Sequence, residues 1–344
     1  MILGDLGADV IKVERPGSGD ETRGWGPPFN GDGESAYFLS VNRNKKSIAA
    51  DLSKPNDRAV IEELIAGADV VLDNFVDGAL DRLDLNPERL LAENPRLIWC
   101  TISGFGPGST RPGYDFVVQA ECGWMAITGE SLGQPMKVGV ALADVVAGKD
   151  AAIAILAAVV ERTSGPAETN RRRIQISLAE SARASLVNVA QNVLVSGVDA
   201  ERWGNAHPNL VPYQLFEAAD RPFVIAVGSD DQWRACAMAL DLAHLAVDPT
   251  LGTNAGRVEH RETVVSALSA RARDMDARHW IERLLSAGVP CGLVKTVMES
   301  LESTNASPLT GIPPSVNGSV RLPPPRLDEH GDSLRALGWR AFQT

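Results

Sequence analysis

Two carboxylates stand in sequence surroundings that suit chemistry. Asp144 closes the apolar run Val138-Gly139-Val140-Ala141-Leu142-Ala143, and Val145-Val146-Ala147-Gly148 then leads into the stretch Ala151 to Val160. That stretch is too apolar for an exposed helix and reads as a buried one. The second carboxylate, Asp115, ends the triplet Gly113-Tyr114-Asp115. A carboxylate set between a core-bound segment and a buried helix is costly to desolvate unless it is paired or hydrogen-bonded, and desolvation raises its pKa. Two readings of Asp144 follow from the local pattern. It caps the helix, its oxygen taking an orphan amide, or it is a nucleophile. A buried carboxylate that attacks an acyl group forms an anhydride, which splits one hard acyl transfer into easier steps.

That chemistry needs neither a metal nor a histidine, and the sequence advertises neither. The five histidines form no HExxH pattern and no close pair, and the four cysteines (Cys100, Cys122, Cys236, Cys291) include no CxxC. No metal site is expected, and reduced thiols fit better than a disulfide framework. There is no GxxxxGK[ST]. Gly104-Phe105-Gly106-Pro107-Gly108 has the wrong spacing for a dinucleotide fingerprint, with a proline that prevents a helix from starting there. A nucleophile elbow with a histidine partner is missing as well.

The elements around these residues alternate. Residues 1–6 read as the last turns of a helix stopped by Gly7, and Ala8 to Glu14 as a strand. A sheet of this kind ordinarily supplies a strand ahead of such a helix, so a strand and turn are expected upstream. Residues 16–35 form a long loop, and Asn42-Arg43-Asn44-Lys45-Lys46 a basic turn of the kind that is usually solvated surface. Strands are expected at 47–51, 69–73 and 97–102, with helices at 55–66 and 86–93. A polar turn over 161–170, a strand from Arg171 to Leu178 and a helix over 179–196 follow the buried helix. Strands alternating with helices give a parallel, doubly wound signature, in which ligands sit beyond the carboxyl ends of the strands. A linker runs from Asp199 to about Pro212. A second α/β unit then opens with a strand at 222–227 and continues with helical stretches at 230–240, 257–272 and 276–287.

The chain has 344 residues, 44% hydrophobic and 22% charged, and a net charge of −11 from 33 basic and 44 acidic side chains. Its length suits two domains, or one large α/β domain with an appendage. The acidic balance argues against a general nucleic-acid binder. No apolar run approaches the roughly 18 residues that span a bilayer. The start lacks a signal pattern, so no export and a cytoplasmic location are expected.

Taken together, several short stretches carry a resemblance across nearly the whole chain. They include Leu3 to Arg15, Gly19-Asp20, Asn44 to Ile48, Asn74-Phe75, Asn94 to Ile98, Ser103 to Gly106, Gly113 to Asp115, Asp144 with Gly148, Gly204-Asn205 and Val211 to Gln214. In this order and spacing the sequence resembles the class III CoA-transferases, the group of formyl-CoA transferase, carnitine CoA-transferase and the α-methylacyl-CoA racemases. The resemblance implies a Rossmann-like large domain (1–198, with 304–344 returning to it), a small domain (205–303) and an interlocked homodimer. It implies an acyl-CoA donor, a carboxylic acid acceptor, coenzyme A as the carried group, and Asp144 as the catalytic aspartate. It assigns Arg15 and Arg82 to the CoA phosphates, where a rigid guanidinium fork suits the task. Ala50, Asp51, Leu52, Ser53, Asn74, Phe75, Arg111, Pro112, Gly113 and Tyr114 match positions lining the CoA groove, and Lys45-Lys46 lie close by in sequence.

Racemases of the group carry histidine where this chain has Tyr114. A tyrosine, with an ordinary pKa near 10, is a poor base at neutral pH, so transfer is favoured over racemisation. The alternatives are a 2-methylacyl-CoA racemase using Asp115 as its second base, or a silent CoA-binding paralogue. The region matching the oxalate enzymes' glycine-run loop is Asn209-Leu210-Val211-Pro212-Tyr213-Gln214, without glycine. A carboxylic acid larger than oxalate is therefore at least as well suited.

Overall fold

The computed structural model describes residues 1–164 and 172–343, Ser164 by its backbone alone. The chain divides into two compact units. The larger comprises Met1–Trp124, Val138–Asn188 and the segment from Ser303 onward, and the smaller Met125–Lys137 and Val189–Glu302.

In chain order the first elements are α1 (Ile2–Asp5), β1 (Ile11–Glu14), α2 (Ala36–Val41), β2 (Lys46–Ala49), α3 (Pro55–Ala66) and β3 (Val70–Asp73). Next come α4 (Pro87–Glu93), β4 (Ile98–Ser103), α5 (Asp115–Glu121), α6 (Trp124–Ile127), α7 (Leu142–Ser164), β5 (Arg173–Ser177), α8 (Leu178–Ala184) and α9 (Val187–Ser196). Local chemistry marks their starts. Ser35 caps α2 by accepting the Phe38 N–H at 3.0 Å, and prolines open α3 and α4, where a missing N–H costs nothing. In the larger unit β1 pairs parallel with β2, and β3, β4 and β5 form a parallel sheet in that order. Ile98, Trp99 and Cys100 of the central strand β4 are all buried, the continuous apolar reading typical of a strand covered on both faces.

Helix α7 differs from the sequence expectation in two ways. It begins at Leu142, so Asp144 lies within its first turn and is not its cap. It also buries a single face. Ala143, Ala147, Ala151, Ile155 and Ala158 recur at helical spacing and are buried, packing in clusters with α5 and α8 or with β4 and β5. Val145, Ile153, Leu156 and Val160 point outward, Ile153 with 66% of its surface exposed. The stretch 151–160 is apolar all round, but this chain covers half of it. The helix runs on to Ser164, through the start of the expected polar turn, and residues 165–171 lie outside the described residues. The single helix expected over 179–196 is two, since α8 stops at Ala184 and Val187 takes a left-handed φ of 42°.

The basic turn is not solvated surface. Arg43 is buried and forms a two-pronged ion pair with buried Asp5, at 2.9 Å through Nε and 2.8 Å through Nη2, while Nη1 donates to the Thr310 carbonyl at 2.9 Å. Asn44 adds a third hydrogen bond to Asp5 at 2.8 Å. The Lys46 ammonium donates to the Ala341 carbonyl and sits 4.9 Å from the Phe342 ring centroid. Lys45 donates to Asn42 at 2.8 Å, and burial, aided by the Lys12 charge, pushes its pKa down to about 8. These cations hold the start and end of the chain together instead of offering a free charge.

The smaller unit contains β6 (Tyr213–Glu217), β7 (Pro222–Ala226), α10 (Asp230–Ala239), α11 (Ala243–Ala246), α12 (Asn254–Glu259), α13 (Arg261–Ala272), α14 (Ala277–Ser286), β8 (Cys291–Leu293) and α15 (Val297–Leu301). Its sheet is antiparallel, β6-β7-β8, with Phe216, Phe223, Trp233 and Trp280 in the core. The chain closes on the larger unit with α16 (Gly331–Leu337).

Candidate active site

The irregular segment ahead of α7 is tied down by α5. Asp115 opens that helix, and its Oδ1 accepts the N–H of Ala143 at 2.8 Å. Gln119 lies one helical turn further on and is fully buried. Its amide Nε2 donates to Asp115 Oδ2 at 2.7 Å, and its Oε1 accepts the N–H of Val138 at 2.9 Å. The residue after Ala143 is Asp144, which keeps one side open to solvent. Its carboxylate accepts no hydrogen bond from any described residue. Water displaced by the surrounding protein, and then the charge of Asp115, push its pKa from 3.8 up to about 6. The positive end of the α7 macrodipole acts in the opposite sense. By contrast, Glu14 is held below the usual range despite its burial, because Arg23 and Ser47 donate to it. Asp20 is likewise drawn down to about 2 against its burial by Lys12 and Thr22.

A third group feels the charge of these two carboxylates. Burial, then Asp144 and Asp115, raise the pKa of the Tyr37 hydroxyl on α2. Its ring meets that of Trp25 edge-on, with centroids 5.0 Å apart. Sequence reasoning passed over Tyr37 and Gln119. The one available signal was the Asp115–Gln119 spacing, since residues four apart share a helix face.

The proposed CoA residues follow the carboxyl ends of parallel strands. Arg15 comes directly after β1. It is exposed and ion-paired with no described carboxylate, and the same holds for Arg82 in the 3₁₀ turn Asp81–Leu83. Ala50, after β2, is buried, and the Leu52 side chain packs into the core beside Ile48 and Leu64. Asp51 accepts from the Ser53 hydroxyl at 2.6 Å and its N–H at 3.1 Å, closing a tight turn. After β3, the Phe75 N–H donates to Asp73 Oδ1 at 2.9 Å, and Asp73 Oδ2 is anchored by Trp99 and Thr101, both at 2.7 Å.

Between β4 and α5, Arg111 is ion-paired with Glu121 and stacked over the Phe105 ring, so it is not a free cation. Tyr114 is 58% exposed and Pro112 is exposed beside it. Gly113 has a stricter role. A Cβ built there would lie 2.1 Å from the Cα of Gly104, and one on Gly104 would lie 2.3 Å from the Cα of Gly113. The two backbones touch where neither tolerates a side chain. Among the described residues no group of three or more His, Cys, Asp or Glu is placed to hold a metal ion, and no helix is long and apolar enough to cross a membrane.

The sequence profile of CoA-transferase family III matches residues 1–312. Over 96% of this chain and 88% of the relative, the sequence is 38% identical to a succinate–glutarate CoA-transferase of Agrobacterium fabrum. It is 36% identical to an acetyl-CoA:oxalate CoA-transferase of Acetobacter aceti, over 97% of this chain and 90% of that one. A solved CaiB/BaiF family protein from Brucella suis superposes with a TM-score of 0.84 at 37% identity, covering 97% of this chain and 93% of its own. The chain belongs to CoA-transferase family III, and is a CoA-transferase of mixed α/β fold with parallel sheets.

Proposed function

We propose that the protein moves CoA from an acyl-CoA donor to a carboxylic acid acceptor through covalent intermediates on Asp144. The observation that carries this reading is the state of that carboxylate. It is partly desolvated, receives no hydrogen bond from a described residue, and is shifted upward to about 6, where a carboxylate with donors around it would move the other way. Such a group is ionised at neutral pH and incompletely solvated, which suits a nucleophile.

The Asp144 carboxylate attacks the donor thioester carbonyl. The carbon–sulfur bond breaks, CoA leaves as its thiolate, and a mixed anhydride remains. The thiolate attacks the aspartyl carbonyl and releases the donor acid, leaving an aspartyl-CoA thioester. The acceptor carboxylate attacks that thioester and forms a second anhydride, and the returning thiolate attacks its acyl carbon and frees Asp144. The Tyr37 hydroxyl, whose pKa the Asp144 charge helps to raise, is a donor available to the oxyanions of these steps. Arg15 and Arg82, ion-paired with no described carboxylate, serve the nucleotide phosphates on an acidic protein, and the strand-end residues 50–53, 74–75 and 111–114 line the groove of a Rossmann-like larger unit.

The acceptor class is a dicarboxylate. A four- or five-carbon diacid is favoured over oxalate, because the more similar of the two relatives is named for succinate and glutarate and the segment 209–214 has no glycine. The uncovered apolar faces of α7 and α9, with Leu194 and Val195 more than three-quarters exposed, support a homodimer. Incubation with succinyl-CoA, trapping with hydroxylamine and peptide mass spectrometry test the mechanism. A hydroxamate on Asp144 is expected. An unmodified Asp144 in a protein that still binds CoA overturns it, and exchange of the α-proton with deuterated solvent without transfer marks an isomerase instead.

A further inference from the structure

We propose that Gln119 and Asp115 act together as positioning residues, a clamp on the backbone that fixes where the Asp144 carboxylate points. The proposal rests on the reading of Asp144 as the nucleophile. Residues 138–141 belong to no helix or strand, yet backbone N–H groups taken from water require partners. Val138 and Ala143 find theirs in two side chains of α5 instead of in a ladder. The clamp thus grips the segment at both ends, and its second grip is on the residue bonded to Asp144. Ala143 is itself fully buried, so a shift of this segment reaches the nucleophile through one peptide unit.

The polarity of the clamp is specific. Its two outer contacts are backbone donors, so both side chains must accept outward. Between them one donor must meet one acceptor. A carboxylate with an amide meets all three demands, and two carboxylates or two amides do not. In the protein the carboxylate is at 115 and the amide at 119, whose Nε2 also approaches the Val140 carbonyl at 3.4 Å. The opposite order satisfies the same three contacts. An amide at position 115 would accept from Ala143 and donate to a carboxylate at position 119, which would in turn accept from Val138. A fully buried amide committed to such contacts is an expensive way merely to fill space beside Val118, where an apolar side chain would serve.

The exchange is the test, performed with the full chain, succinyl-CoA and glutarate at pH 8, where Asp144 is ionised. Asp115→Asn and Gln119→Glu are each expected to lower kcat about a hundredfold, the scale of a misplacement near 1 Å, with KM for the thioester little changed. Asp115→Asn/Gln119→Glu is expected to recover most of the lost kcat, a coupling that a double-mutant cycle measures directly. Single variants with wild-type kcat overturn the clamp, and so does a double variant no better than the singles. If near-UV circular dichroism shows a single variant unfolded, the folded double variant decides alone, by turning over or not. Asp144→Asn runs in parallel. If it still turns over, the nucleophile assignment fails. If it is dead while the clamp variants are normal, only the clamp fails.

Discussion

Acidification from pH 7 to pH 5 separates a perturbed Asp144 from an ordinary aspartate. With its pKa at about 6, displaced first by desolvation and then by Asp115, the carboxylate is about nine-tenths ionised at pH 7 and about one-tenth at pH 5. An aspartate at the reference value of 3.8 stays more than about nine-tenths ionised throughout this range. If the ionised form attacks, kcat/KM for the first half-reaction falls roughly tenfold on one account and hardly at all on the other. The 3′-phosphate of CoA takes up a proton in the same region, with a monoester pKa near 6, and would blur the comparison. Hydroxamate formation is therefore best followed with succinyl-pantetheine, which lacks the nucleotide. Removing the Asp115 charge by Asp115→Asn should move the acidic limb to lower pH, whatever it does to the height of the plateau. A flat profile down to pH 5, or a limb unmoved by that substitution, would refute the electrostatic account of the site.

Asp144 also bears on stability. It binds its proton more tightly folded than unfolded, so stability falls as pH rises from about 3.8 through about 6. The full shift corresponds to about 3 kcal/mol, which the exposure of the group and solvent screening reduce to about 1 kcal/mol. Asp144→Asn should accordingly raise the urea midpoint at pH 7, with the gain shrinking toward pH 4. Arg43→Met leaves Asp5 charged and buried with Asn44 as its remaining side-chain partner, and should cost about 3–5 kcal/mol in urea unfolding. Arg15→Ala and Arg82→Ala should each weaken CoA binding about tenfold or more with kcat nearly unchanged, while a pantetheine thioester should be indifferent to both. Titration calorimetry with CoA at two salt concentrations checks this.

The sequence was most legible where local signals suffice. The strands around 70–73 and 98–103 and the helix at 55–66 are set by short apolar runs, Pro55 and flanking polar residues, and these elements lie where the pattern puts them. The basic turn misled because the partner of Arg43 is Asp5, far off in sequence, and a charge run says nothing about tertiary pairing. Apolarity over 151–160 reports that a surface must be covered, not what covers it, so α7 turned out half bare. Strand β6 went unread because Tyr213-Gln214-Leu215-Phe216-Glu217 is short, mixed in polarity and preceded by a Gly-, Asn- and Pro-rich stretch. At the site, Asp115 and Asp144 stood out by residue type. Gln119 could not, because its two backbone contacts depend on how 138–143 crosses α5.

The contact between Gly104 and Gly113 bears on how such a protein can diverge. Neither position can acquire a side chain while the other loop stays in place, so the two constrain each other although each looks like an ordinary loop glycine. A lineage drifting toward a new acyl group is free to vary an exposed neighbour such as Tyr114, but it cannot remodel the crossing by single steps. Change in the loop between β4 and α5 is thus channelled into the residues that flank the crossing, and the path of the backbone is the part least open to substitution.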